Sequence, residues 1–228
     1  HVGGGEQQGQ LIVVARQQGE DKTNGQPHST RRVCAPSFIR KTVFATLNRM
    51  RLEDLGLIGN CQFSALVSRT GEVVWCCLPR FDSEPVFSTL LDEQSGGRFR
   101  IGAPDGAQGR QRYLDNTNVL ETTFSTPQGV FRVLDFAPRF TQHDRSFRPT
   151  QLCRIVEPLT GTPLVHVSCE PRLGWSKAIP QPLRGSNHIQ YEGFESPLRL
   201  TTDIPLTSLA GHAFTLTERR QLILSWGA

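Results

Sequence analysis

The sequence lacks long apolar runs. No run approaches the roughly 18 residues that a membrane-spanning helix needs. The longest run near the N-terminus, from Leu11 to Ala15, is too short for the core of a signal peptide. We therefore expect no membrane partner, and the cytoplasm is the simplest location for this chain.

The recurrent motifs of catalysis and cofactor binding are also missing. The sequence contains no G-x-S-x-G, no H-E-x-x-H, no Walker loop and no dinucleotide fingerprint. Its six cysteines include no C-x2-C pair, and the side chains of Cys76 and Cys77 would point to opposite faces of a strand, away from a shared ion. We expect no metal and no cofactor, and we expect the cysteines to be reduced thiols.

Most of the chain lacks an excess of positive charge. The net charge is +4, but residues 1–49 alone carry seven basic and three acidic side chains, and residues 50–228 carry 18 of each. Binding to nucleic acid needs clustered Lys or Arg against the phosphates. The sequence therefore does not predict a nucleic-acid partner for residues 50–228.

Residues 1–49 differ from the rest in composition. Gln, Gly, Thr, Ser and Arg dominate there, and no hydrophobic period lasts longer than one turn. Such a segment cannot bury enough surface to offset the entropy of ordering. The single Met of the chain, Met50, comes directly before the first well-patterned segment. We expect residues 1–49 to be a disordered tail or a mis-called start, and residues 50–228 to form the domain.

Short β-strands dominate the pattern after Met50. The clearest hairpin joins 118–125 to 130–136 through the turn T-P-Q-G. Only 84–91 suggests a helical turn, with Pro85 at its start. The many short strands favour an all-β fold, an antiparallel β-sandwich. The other predicted strands are 63–68, 72–77, 151–157, 163–170, 188–191, 197–200 and 220–226.

An arginine and an aspartate follow one of these strands at a spacing of two. Arg80 and Asp82 bracket Phe81. Such a pair most often locks a loop, and Asp82 or Ser83 could cap the helical turn that begins at Pro85. The alternative is that the pair faces a partner or a sugar, since Arg donates hydrogen bonds and Asp accepts them. The three residues Arg80, Phe81 and Asp82 are therefore a candidate site.

Carboxylates and tryptophans supply further candidates. Glu121 and Asp135 lie on the two arms of the predicted hairpin, and we expect them to face solvent or to pair with arginines. Trp75 and Trp226 fall within predicted strands, so we expect them in the core. Trp175, in L-G-W-S-K, is the tryptophan expected to be exposed and able to stack on a sugar.

The segment around the candidate site resembles a known family. Residues 51–87 read R-L-E-D-L-G-L-I-G-N-C-Q-F-S-A-L-V-S-R-T-G-E-V-V-W-C-C-L-P-R-F-D-S-E-P-V-F. This segment resembles the start of the trehalase-like N-terminal domain of glycoside hydrolase family 15, which contains bacterial and archaeal glucoamylases and related trehalases. The resemblance covers about 50–226 and does not cover 1–49. Later matching segments, in the same order, are G-G-R-F (96–99), R-Y-L (112–114), L-E-T (120–122), D-F-A-P-R (135–139) and R-I-V (154–156).

The resemblance implies a β-supersandwich followed by a helical (α/α)6 barrel in the same protein. Both catalytic glutamates of the family belong to that barrel, so the resemblance assigns no catalytic residue to this chain. The implied partner is the (α/α)6 catalytic domain, with Arg80, Phe81 and Asp82 at the shared face. The implied substrate is an α-glucoside or trehalose. Asn60 stands where the family more often has Asp.

Three functions are open on the sequence alone. The first, which we expect, is a non-catalytic N-terminal β-sandwich domain of an α-glucoside hydrolase, present as a fragment and inactive by itself. The second is a standalone carbohydrate-binding or scaffold domain, with Trp175 as the stacking residue. The third is a fragment that hydrolyses glycosides on its own.

Overall fold

The computed structural model describes residues 51–209 and 211–227, and most of its regular structure is β-strand. The other regular elements in these two ranges are three 3-10 turns, Leu52–Asp54, Gly174–Ser176 and Leu206–Leu209. The predicted all-β class is confirmed. The predicted disordered tail, residues 1–49, lies outside the described residues.

The strands are short and follow one another closely along the chain. In chain order they are β1 (Gly56–Gly59), β2 (Ser64–Val67), β3 (Glu72–Cys77), β4 (Pro85–Phe87), β5 (Arg98–Gly102), β6 (Arg110–Tyr113), β7 (Leu120–Thr126), β8 (Gly129–Phe136), β9 (Phe140–Gln142), β10 (Arg145–Phe147), β11 (Gln151–Gly161), β12 (Leu164–Glu170), β13 (Gln181–Arg184), β14 (His188–Glu192), β15 (Leu198–Thr202), β16 (Phe214–Thr215) and β17 (Arg220–Trp226).

Two large antiparallel sheets pack face to face. The first sheet has seven strands in the order β1-β2-β3-β5-β12-β16, with β4 paired to β3. The second sheet has eight strands in the order β13-β14-β15-β17-β11-β8-β7-β6. This arrangement confirms the predicted antiparallel sandwich. Among the described strands, β9 and β10 pair only with each other and form a separate hairpin.

The core lies between the sheets, where apolar side chains of both sheets meet. On β7 and β8, alternation turns Phe124, Phe131 and Val133 inward, and all three are buried. The rings of Phe124 and Phe131 stack with centroids 4.9 Å apart. Burial of one such side chain stabilises the fold by about 1.5–3 kcal/mol relative to its exposure. The predicted hairpin of β7 and β8 is confirmed.

A buried arginine, paired with an aspartate of its own sheet, connects the two sheets. Arg154 on β11 and Asp135 on β8 are fully buried, with 2.7 Å between Nε and Oδ1. The guanidinium group also donates to the carbonyl oxygens of Phe99 on β5, at 2.7 Å, and of Gly71 in the β2–β3 turn, at 2.8 Å. A buried charge is tolerated only when it is paired and hydrogen-bonded in this way. Of the two expectations for Asp135, pairing with an arginine is confirmed, but the partner lies in the core.

A second set of ion pairs crosses the outer face of the eight-stranded sheet. Glu121 accepts hydrogen bonds from Arg112 at 2.7 Å and from Arg132 at 3.0 Å. Arg132 also donates to Glu157 on β11 at 2.9 Å. The expected pairing of Glu121 with arginines is therefore confirmed, and the arginine side chains cover its carboxylate.

The helical turn predicted for 84–91 is wrong. Pro85–Phe87 forms β4, which pairs with the end of β3 and is buried along its whole length. Burial and pairing of this apolar segment outweigh the helix-start signal of the proline. Asp82 and Ser83 consequently cap no helix.

Candidate functional site: the loop end of the sandwich

Several connections between strands meet at one end of the sandwich, which we call the loop end. In antiparallel sheets, every second connection lies at the same end. The last strand, β17, also finishes there, and the N–H of Trp226 donates to the carbonyl oxygen of Thr150 at 3.1 Å. The loop end consists of residues 60–63, 78–84, 114–119, 137–150, 171–180 and 193–197.

The loop of Arg80, Phe81 and Asp82 projects from this end. Arg80 donates two hydrogen bonds to the carboxylate of Asp82, at 2.9 and 3.0 Å. The hydrogen bond from Arg80 lowers the pKa of Asp82, so this carboxylate stays charged in mildly acidic solution. Both side chains are exposed, and exposed ion pairs add little stability. Phe81 is 64% exposed although it is a large apolar side chain.

The buried side chain of Asn60 connects three backbone positions of the loop end. Its side-chain amide donates to the carbonyl oxygens of Pro138 at 3.0 Å and Pro149 at 2.9 Å, and its side-chain oxygen accepts the N–H of Gln62 at 3.1 Å. Asn60 is 2% exposed. The backbone oxygen of Gln62 in turn accepts the N–H of Phe81 at 3.2 Å. Residues 60–62 therefore anchor both the 78–84 loop and the segment 138–149.

The role of Asn60 was not predicted from the sequence. The motif I-G-N-C marks the position, but the two carbonyl oxygens that it binds lie more than seventy residues away. The amide of Asn60 has two hydrogens and can donate to both of them, whereas an ionised carboxylate has none to donate. Asn60 therefore fits these surroundings better than an aspartate would.

Trp175 is exposed, as predicted. It is 58% exposed, and its ring lies 6.2 Å from that of Trp75 at an angle of 48°. Its loop is tied down by an ion pair between Lys177 and Asp92, which lowers the pKa of Asp92 to about 2. The prediction that Trp75 and Trp226 lie in the core is only partly correct, because each is half-buried.

A cleft of about 390 Å³ opens beside the 78–84 loop. Trp226 and Phe194 line its apolar side, and their rings meet edge to face at 5.6 Å. Glu84 and Glu195 line its polar side, and neither forms a hydrogen bond or an ion pair with another described residue. Aromatic rings and carboxylates are groups that bind sugars. The sequence did not single out either glutamate, because isolated carboxylates in loops carry no distinguishing pattern.

The described residues hold no group of three His, Cys, Asp or Glu side chains arranged to bind a metal ion. In the same residues, no helix is both long and apolar enough to span a bilayer. The five described cysteines, at 61, 76, 77, 153 and 169, are free thiols.

The sequence was compared with the profiles of known protein families. Residues 39–206 match the sequence profile of the family described as trehalase-like, N-terminal. The chain belongs to the trehalase-like N-terminal family. The match includes residues 39–49, which the resemblance described above did not cover, and it includes both loops anchored by Asn60.

The curated relatives of this trehalase-like N-terminal chain are named trehalases. The trehalase of Mycolicibacterium smegmatis is 34% identical over 141 residues, which are 55% of this chain and 21% of that protein. The trehalase of Thermoplasma volcanium is 24% identical over 203 residues, which are 88% of this chain and 32% of that protein. The chain thus spans less than a third of either relative. No solved structure matches it.

Proposed function

We propose that this chain is the non-catalytic N-terminal β-sandwich domain of a glycoside hydrolase family 15 enzyme that cleaves α-glucosidic bonds, of glucoamylase or trehalase type. The family match over residues 39–206 carries the proposal, because the relatives that share this region are trehalases in which it is the smaller part. The partner is an (α/α)6 catalytic domain of the same protein, and the substrate is trehalose or another α-glucoside.

The catalytic work belongs to the partner domain in this proposal. Hydrolysis with inversion needs one carboxyl group as general acid and a second as general base, on opposite faces of the sugar. The sandwich contributes a rigid support, since Arg154, held by Asp135 within one sheet, donates hydrogen bonds to the carbonyl oxygens of Phe99 and Gly71 in the other. Arg80, Phe81 and Asp82 face the catalytic domain or its substrate. The free thiols support a cytoplasmic location.

The first experiment reads the gene beyond codon 228 and expresses the longer protein. We expect a reading frame for a helical domain, and release of glucose from trehalose or from maltooligosaccharides. A stop codon directly after residue 228, or a longer protein inactive on every α-glucoside, would contradict the proposal.

The second experiment assays the present chain alone, because Glu84 and Glu195 line one cleft. We expect no turnover after rigorous purification. Turnover that Glu84→Gln and Glu195→Gln both abolish would show that the chain has its own acid and base, and would overturn the non-catalytic assignment.

Carbohydrate binding is the second candidate function, and the exposed Trp175, whose ring lies 6.2 Å from that of the half-buried Trp75, favours it. Titration with trehalose and maltooligosaccharides, followed by tryptophan fluorescence, tests this candidate. A binding curve that Trp175→Ala abolishes would support it, with Leu183→Ala, another exposed apolar position, as the control. An unchanged signal at millimolar sugar would exclude it.

A further inference from the structure

We propose that the β9–β10 hairpin and Phe81 form one docking surface, and that the partner seated on it is the helical catalytic domain of the same protein. The catalytic domain meets this surface with an apolar pocket flanked by acidic side chains. This inference rests on the proposed function and adds to it the surface and the chemistry of the contact.

The hairpin exposes apolar side chains that nothing else in the described chain covers. All six residues of β9 and β10 are exposed, and the two strands pair with no further described strand. Phe140 and Phe147 stack with centroids 5.4 Å apart, yet they remain 47% and 41% exposed. An isolated two-stranded hairpin is marginally stable in water. Exposed apolar clusters of this kind mark sites of interaction.

The hairpin is nevertheless held in place by hydrogen bonds to the residues that precede and follow it. Asn60 donates to the carbonyl oxygens of Pro138 before the hairpin and Pro149 after it. The side chain of Gln62 donates to the hydroxyl of Thr150 at 2.8 Å. At the tip, His143 and Asp144 both have positive φ, as a two-residue type I′ turn requires. A surface ordered in advance loses little entropy when it binds, which favours docking.

Phe81 belongs to the same surface because the same short segment holds it. Its backbone N–H donates to the carbonyl oxygen of Gln62, next to the residue that clamps the hairpin. Residues 60–62 thus anchor the two segments that carry the three exposed phenylalanines, two on the hairpin and one on the 78–84 loop. A partner of complementary shape would bury all three.

The charge of the hairpin indicates an acidic partner. Residues 139–148 contain three arginines, Arg139, Arg145 and Arg148, against the single acid Asp144. None of the three arginines forms an ion pair with a described residue, although most arginines of the sandwich do. Complementary charge orients partners and suppresses wrong ones. The local excess is notable because residues 50–228 as a whole are neutral.

The path of the chain favours a partner in the same polypeptide. β17 ends at Trp226, whose N–H donates to the carbonyl oxygen of Thr150 at the base of the hairpin. A domain that follows residue 228 would therefore start beside the docking surface. Covalent attachment at that point raises the effective concentration of the partner over the surface.

Site-specific photo-crosslinking in the longer protein tests the proposal. Benzoylphenylalanine replaces Phe147 in one variant and Leu159 in a control. Leu159 is similarly exposed, at 46%, but lies on β11 towards the opposite end of the sandwich. We expect the probe at 147 to crosslink to the catalytic domain and the probe at 159 not to do so. Reversal of charge at Arg139, Arg145 and Arg148 should lower the yield several-fold, and Arg184→Glu should leave it unchanged.

Each other outcome overturns the inference. Equal crosslinking from 147 and 159, or crosslinks only within the sandwich, would remove the docking surface while hydrolase activity still supported the proposed function. Crosslinks between two copies of the protein would assign the surface to a dimer instead. If the longer protein has no catalytic domain, both proposals fail together.

Discussion

The hydroxyl group of Tyr113 hydrogen-bonds to both backbone groups of Leu57. It accepts the N–H of Leu57 and donates to its carbonyl oxygen, each at 2.8 Å. β1, which contains Leu57, is an edge of the seven-stranded sheet, and β6, which contains Tyr113, is an edge of the eight-stranded sheet. Unpaired edge strands invite pairing with other chains. This tyrosine therefore satisfies an open edge and connects the two sheets on that side.

Loss of the Tyr113 hydroxyl should weaken the fold and open this edge. We expect Tyr113→Phe to lower the free energy of unfolding by about 0.5–1.5 kcal/mol and to increase self-association in sedimentation velocity. Tyr191→Phe is the matched control, because its hydroxyl donates to the carbonyl oxygen of Cys169 in the interior. It should lower stability without promoting association. Equal association of the two variants would contradict the role of Tyr113 at the edge.

Removal of one charge from the buried ion pair should be far more costly. We expect Asp135→Asn to lower the free energy of unfolding by about 3–5 kcal/mol, because it leaves the guanidinium of Arg154 buried and uncompensated. Urea unfolding followed by fluorescence measures the loss. Asp82→Asn removes the carboxylate from an exposed Arg–Asp pair and should have no measurable effect on stability. A similar loss in both variants would mean that burial does not decide the importance of these pairs.

Asn60→Asp tests the clamp beneath the hairpin. The new carboxylate would face the carbonyl oxygens of Pro138 and Pro149 without a hydrogen to donate, so both hydrogen bonds are lost. We expect a loss of about 1–3 kcal/mol in stability and faster hydrogen exchange in residues 140–147. Asn118→Asp is the control, since Asn118 donates to only one carbonyl oxygen, that of Gly59, and is exposed. Unchanged exchange in the hairpin of Asn60→Asp would show that the clamp does not order it.

The ion pair of Asp92 and Lys177 predicts how the Trp175 loop responds to acid. The folded pKa of Asp92 is about 2, because of hydrogen bonds from Lys177 and from backbone N–H groups, and its ordinary value is 3.8. A lowered pKa gives stabilisation that is fully present above the ordinary value and is lost as the pH falls through the folded value. The anchor of the loop should therefore persist from pH 7 to about pH 4 and weaken towards pH 2.

Tryptophan fluorescence in a Trp226→Phe background measures this response. We expect a change in emission between pH 4 and pH 2 that is absent from Asp92→Asn, which cannot titrate at this position. Lys177→Met should give the acid-like emission already at pH 7. The same acid transition in Asp92→Asn as in the parent would assign it to global unfolding.

The strands that were predicted correctly carry their own pattern. β3, β7, β8 and β17 alternate or run as apolar segments between clear turns, so local sequence fixes both their type and their limits. β6, with the sequence R-Q-R-Y, has no apolar residue except its tyrosine and becomes a strand only because β7 lies beside it. β4 was mistaken for a helical turn because Pro85 is a helix-start signal, and its three residues are too few to show the alternation of a strand. Strands that depend on a neighbour for their hydrogen bonds escape local analysis.

The candidate site was predicted in its parts but not in its arrangement. The spacing of Arg80 and Asp82 correctly indicated an ion pair within the loop, and Trp175 is exposed as predicted. The convergence of Asn60, the hairpin and Phe81 depends on contacts across roughly eighty residues of chain, which one sequence does not encode in any local pattern. The burial of Asp135 could have been predicted from the sequence, because alternation along β8 places it on the same face as the apolar Phe131 and Val133.

The position of β17 governs when the eight-stranded sheet can be completed during synthesis. β17 lies between β15 and β11 in the middle of the eight-stranded sheet, although it is the last of the described strands in sequence order. Until residues 220–226 emerge, β11 and β15 each present an unpaired edge, and the nascent sheet remains split into two halves. The described sheet therefore cannot be completed strand by strand during translation, and its unpaired edges make the early intermediates prone to aggregation.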